Sequence, residues 1–204
     1  MIRGFLIFFF VMMLFDTAIA STFLPNAFEG HFVQEKKLIK ITEKSNILLK
    51  YQHPNNLYFK DSQTKTVYVC NATKVYKYDP PFIEGEAGNL AIGDSSKFCF
   101  SKIFDSLKPG LKNNRNYLVQ KLKNSKYDFN FTKTGIKKTG IEKLEIIFKE
   151  GSQEFVDIVS MSLYLVDDAR PLKLTKKDII IKDKFPSDTF KFKRPDNALI
   201  ERMQ

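Results

Sequence analysis

Tryptophan is absent, and histidine and cysteine occur only twice each. Structural zinc takes about four such ligands, so a His/Cys metal cluster is nearly excluded, and a multi-histidine active centre with it. No cofactor or metal is expected. Glycine (9) and proline (8) are sparse in 204 residues, which excludes fibrous and low-complexity classes. Acidic residues are outnumbered, 23 against 33 basic, leaving a formal charge of +10. A hydrophobic share of 43% with 27% charged fits a globular chain rather than a disordered one. Phenylalanine is the abundant exception, at 20 residues.

Long apolar runs are also lacking, save one. Residues 5–15 form an unbroken stretch of 11, behind Arg3 and ahead of Ala18-Ile19-Ala20. Spanning a ~30 Å hydrocarbon core takes about 20 residues, so this stretch is too short for an anchor. The pattern is that of a secretory signal peptide, with cleavage expected after Ala20. The expected organisation is a signal peptide at 1–20 and a single domain at 21–204, exported, soluble and monomeric. Export permits a disulfide between Cys70 and Cys99, while their apolar neighbours suit buried free thiols equally well.

Period-two alternation dominates the rest. Strands are expected at 28–42, 46–52, 57–60, 66–71, 74–78, 117–120, 126–132, 142–149, 155–166, 178–183 and 189–193. Close succession favours an antiparallel meander. A helix is expected at 95–107, where Phe98, Ile103, Phe104 and Leu107 fall at helical spacing and Pro109-Gly110 ends the run. Such a helix is either a lid or a plug. A sheet this large has to curl, and one curled round aromatic side chains encloses either an apolar cavity or a packed core. The tail at 194–204 is polar and expected to fray.

The order of these segments resembles the periplasmic lipoprotein carriers of the LolA type. Phe28-Glu29-Gly30-His31-Phe32-Val33-Gln34 is similar to that family's opening strand, F-x-x-x-F-x-Q. Residues 48–59 resemble its strand, Arg-Pro pair and following aromatic segment. Residues 67–80 resemble its hairpin with an aromatic-x-Tyr-Asx-Pro ending. Residues 190–198 resemble its closing F-x-F-x-x-P strand. The resemblance implies a mainly β fold with a helical lid: an unclosed antiparallel β-barrel around a hydrophobic cavity. It implies a carrier that escorts acylated lipoproteins from an inner-membrane releasing transporter to an outer-membrane receptor. The expected lipid-binding residues are Phe32, Leu49, Leu57, Phe59, Tyr76, Tyr78, Phe98, Ile103, Phe104 and Leu107. The family's lid-clasping Arg is here His53, before Pro54, and its Trp is Phe59.

A histidine clasp has fewer donors than guanidinium and responds to pH near neutrality. This departure, with the shortened N-terminal lead, keeps a second reading open: a binder of another lipid or glycolipid, or a sensor of mislocalised lipoproteins. An enzyme is not expected, because the one close carboxylate pair, Asp167 and Asp168, reads as a turn before Arg170-Pro171. The basic charge is read first as solvated strand faces, as at Lys191 and Lys193. The competing reading is steering toward anionic membranes or an acidic partner. No helical basic stripe points to nucleic acid.

Overall fold

The computed structural model describes residues 23–37, 42–166 and 170–203. The expected signal segment and the Asp167–Asp168 pair lie outside them. Twelve strands form one sheet: β1 (Ala27–Lys37), β2 (Thr42–Gln52), β3 (Asn56–Asp61), β4 (Val67–Cys70), β5 (Lys74–Asp79), β6 (Asn89–Asp94), β7 (Tyr117–Lys121), β8 (Lys126–Phe131), β9 (Ile141–Phe148), β10 (Ile158–Leu165), β11 (Leu172–Lys182) and β12 (Leu199–Arg202). Their spatial order is β12-β6-β5-β4-β3-β2-β1-β11-β10-β9-β8-β7, so β12 and β7 are free edges and the sheet does not close. Every pairing is antiparallel except β12 with β6, which is parallel.

Alternation decides what each face buries. On β2 the buried residues are Ile47, Leu49 and Tyr51; on β9 they are Ile141, Leu144, Ile146 and Phe148. One cluster takes in Val75 of β5 and Phe129 of β8. Laid flat at ~4.8 Å per strand, those strands would stand about 38 Å apart. The sheet therefore curls until its two halves share one interior.

Among the described residues, three short helices close that interior. The expected helix at 95–107 is two pieces, α1 (Ser95–Phe98) and α2 (Ser101–Leu107), broken at Cys99 and Phe100. Asp94 caps α1 by accepting from Ser96 N at 2.7 Å. The third helix, α3 (Lys133–Thr139), was not expected. Thr132 caps it by accepting from Gly135 N, and Gly140 ends it at φ +72°. Gly135 looks like a breaker in the sequence, yet a Cβ there would collide with the Asn116 carbonyl oxygen. Close packing, not flexibility, selects it.

Several expectations need correction. The 155–166 strand begins with a 3-10 turn at Phe155–Asp157, and the strand expected at 178–183 starts earlier, at Leu172. Strand β6 escaped notice because Gly88 and Gly93 thin out its pattern. Residues 189–193 form no ladder. They belong to a strap, 183–198, that crosses the outer face of the sheet. Phe185 and Phe190 meet edge to face at 5.7 Å, packed with Ala27 and Val69. Gln52 Oε1 accepts from Phe185 N at 2.8 Å, and Phe190 O accepts from Asn71 Nδ2 at 3.3 Å. The tail is not frayed either: β12 joins the edge of β6, and Met203 N donates to Ile92 O at 3.0 Å.

Phe190 is 7% exposed. Replacing it with Ala is expected to lower unfolding stability by about 3 kcal/mol, read from urea denaturation, by exposing the outer sheet face. A loss near zero would show that the strap is not held by this side chain.

Candidate functional site

The interior under α2 brings together most of the expected lipid-binding residues. Phe32, Leu49, Leu57, Ile103, Phe104 and Leu107 are buried in one cluster, with Phe59 and Phe98 packed against its margin. Tyr76 and Tyr78 are not among them. Across the ladder Val75 pairs with Cys70, whose side chain faces inward, while Tyr76 pairs with Val69, which faces outward. Phe192 of the strap stacks on Tyr76 at 5.2 Å and meets Tyr78 at 6.2 Å. The inward residue between them is Lys77, so apolar character alone selected the wrong parity.

The expected cavity is filled by the protein's own rings. Phe104 reaches down from α2 to lie 5.6 Å from Phe28 and 5.3 Å from Tyr51. Phe28 in turn meets Phe155 at 4.7 Å, and Phe155 meets Phe23 at 5.9 Å. Phe28, known from the sequence only as the start of the opening-strand motif, and Phe155 were not among the expected lipid-binding residues. A shallow pocket of 240 Å³ opens elsewhere, beside Phe32, Ile47 and Lys60.

Polar groups pin α2 where its apolar underside ends. His53-Pro54-Asn55 forms the tip of the β2–β3 hairpin, with the His53–Pro54 peptide cis and Asn55 at φ +61°. Asp105 of α2 meets this tip. Its Oδ1 accepts from Tyr51 OH at 2.7 Å and lies 2.7 Å from His53 Nδ1. An ionised carboxylate only accepts, so Nδ1 carries the proton. Asn55 N adds a long contact to Oδ2 at 3.4 Å. Burial, then the bond to Asp105 and its charge, push the Tyr51 phenol far above its ordinary range, so it remains a neutral donor. Asp105 and Tyr51 were missed in the sequence. Tyr51 shares strand parity with Leu49, and Asp105 is the sole acid of α2; those are the signals that could have found them.

A covalent tie holds the opposite end of the helical segment. Cys70 of β4 and Cys99, between α1 and α2, form a disulfide with Cα atoms 5.8 Å apart. A bridge closing 29 residues removes about 3–4 kcal/mol of unfolded-state entropy. Beside it, Tyr68 OH donates to Phe98 O at 2.5 Å and accepts from Phe100 N at 3.1 Å. Desolvation raises the Tyr68 phenol to about 12, with the Phe100 bond opposing. The arrangement is a short apolar plug, covalently fixed at its start and polar-latched near its end.

No family model matches the chain, and no curated protein does either. Among solved structures it is similar to an uncharacterized conserved protein from Thermus thermophilus, at 8% identity over 89% of this chain and 93% of that one, TM-score 0.47. It is also similar to a putative outer membrane lipoprotein-sorting protein domain from Vibrio parahaemolyticus (10% identity, 81% and 89% covered, TM-score 0.41). A third is a DUF1329 family protein from Desulfovibrio piger (10% identity, 85% and 91% covered, TM-score 0.45). The fold assignment here stands on the sheet order itself.

Replacing Asp105 with Ala strips two donors of their acceptor and is expected to loosen α2 by about 2 kcal/mol. Hydrogen exchange at the amides of α2 should quicken while β1–β3 stay protected. Equal loss of protection throughout would show that the latch supports the whole fold rather than the helix.

Proposed function

We propose that the interior binds acyl chains and that the protein is a non-enzymatic, periplasmic carrier of acylated lipoproteins. The observation that carries this reading is the position of Phe104. It packs on Phe28 and Tyr51 of the apolar interior, yet it belongs to a seven-residue helix. A helix this short has little stability of its own and depends on what it packs against.

Lifting α2 would uncover Phe28, Leu49, Tyr51 and Leu57, a surface made of rings and branched chains. An acyl chain would then replace Ile103, Phe104 and Leu107 with chemistry of the same kind, at about 0.8 kcal/mol per buried CH₂. The exchange is close to balanced, as reversible loading and release require. The Asp105 latch sets the free energy that cargo has to supply. The ordered resemblance of residues 28–34, 48–59, 67–80 and 190–198 to the LolA-type carriers supports the same reading, with His53 standing at the position of the family's clasp.

The deciding experiment is mass spectrometry of what co-purifies with the chain from its native envelope under gentle conditions. Stoichiometric acylated proteins are the expected result. Free lipid or glycolipid alone would replace the carrier reading with that of a lipid binder. In a purified system, Phe59→Glu is expected to weaken binding of a fluorescent fatty acid at least about tenfold by placing a charge on the interior's margin. Unchanged binding by a folded variant would overturn the assignment of this interior.

A further inference from the structure

The outer side of the helix layer carries nearly all of its charge with one sign. Lys97 lies on α1, Lys102 on α2, Lys108 at its end, and Lys112 and Arg115 in the connection to β7. Lys133, Lys137 and Lys138 lie on α3, which packs against α2. These are eight cations against two carboxylates across 94–116 and 133–139, in a chain whose whole net charge is +10: Asp94, which caps α1, and a second on α2. That carboxylate is Asp105, which is 12% exposed and already engaged by Tyr51 and His53. Some lysines on the sheet are paired, while Lys176 and Lys177 donate to the neutral acceptors Val156 O and Asn46 Oδ1. Lys44 pairs with Glu35, Lys50 with Glu29, and Lys143 with Asp128 and Glu145. Among the described residues none of the eight helix-layer cations makes an ion pair. Lys102 Nζ donates to Ser96 O and Lys108 Nζ to Asn26 Oδ1, both uncharged acceptors.

We infer that this layer is a docking surface for an anionic lipid bilayer. Seven of the eight cations are lysine, a point charge without the planar fork that directs recognition of one carboxylate or phosphate. Spread over three helices and a loop, they suit the diffuse potential of a headgroup layer. Among them, Phe100 is 52% exposed, its ring stacked on Tyr68 at 5.1 Å. An aromatic ring flanked by cations is the composition of a surface that rests at the bilayer interface. The docking stands on this charge and exposure. Its use rests on the acyl-carrier reading: the layer facing the bilayer is the one covering the interior, so a chain could pass between them without crossing water.

The test is co-sedimentation of the purified protein with phosphatidylcholine vesicles, with and without phosphatidylglycerol, at low and physiological salt. Binding is expected only with phosphatidylglycerol and is weakened by salt. The combined variant Lys133→Gln, Lys137→Gln, Lys138→Gln is expected to lose at least about tenfold in affinity. The variant Lys184→Gln, Lys191→Gln, Lys193→Gln, equal in charge but altered on the strap, should retain binding. Equal loss in both variants would assign the effect to net charge and overturn the surface. No binding of the unaltered protein would overturn it as well, and would leave an acidic protein as the partner. Thermal melts confirm folding of each variant. Fatty-acid binding measured on the same samples separates the two readings: vesicle binding without it leaves the docking surface standing and removes the carrier.

Discussion

Burial of one face of a single sheet governs the rest of the molecule. Twelve strands present more apolar surface on that face than a flat sheet could hide, and the edges β7 and β12 do not meet to close it. Curling brings Val75 and Phe129 into one cluster but leaves an open mouth. The helices exist to fill that mouth. The strap meets the matching need on the other face, where Val69, Tyr58 and Tyr76 would otherwise be wet. Both coverings are short segments drawn over a framework whose geometry is set by the strands.

The two coverings differ in how they are fastened. The strap is held by side-chain packing and by single hydrogen bonds to Gln52 and Asn71, and ends in a strand that joins the ladder. The helix layer has a disulfide and the Tyr68 bonds at one end, and a charge-assisted pair of hydrogen bonds at the other. Polar bonds of this kind are directional and fail together once their geometry is lost, whereas apolar contacts weaken gradually. Polar groups at the rim of an apolar interior therefore fix the position of α2 by geometry, beyond what packing alone would do.

Much of this was legible in the sequence. Alternation found β2, β3 and β9 because their inward residues are large and charged ones point outward; it found β5 with its faces reversed, since there the rings of Tyr76 and Tyr78 point outward and Lys77 inward. The helical spacing of Ile103, Phe104 and Leu107 found the helix that covers the interior, and His53, singled out through the family resemblance, lies 2.7 Å from Asp105 of α2. What was hidden depends on partners distant in the chain. Asp105 has no meaning until α2 lies over the hairpin tip. The side taken by Tyr76 and Tyr78 is undecidable until the strap is seen, since Phe192 covers the outer face of β5 while the inner face buries only Val75. Phe190 and Phe192 do face one way, as their spacing says, but against a sheet face rather than a neighbouring strand. Helix α3 was lost because Gly135 reads as a breaker when only local propensity is considered.

The parallel pairing of β12 with β6 has a bearing on how the molecule is made. Leu199 lies beside Asn89, a contact that joins the middle of the chain to its last few residues. Contacts of such long sequence separation form late, because the loop entropy is spent before they stabilise anything. The hairpins β2–β3, β4–β5 and β8–β9 are local and can form early. Until the strap is laid and β12 arrives, the backbone of β6 is an unpaired edge beside the exposed Tyr76 and Tyr78. A bare β6 edge is open to pairing with another chain, and β12 covers it.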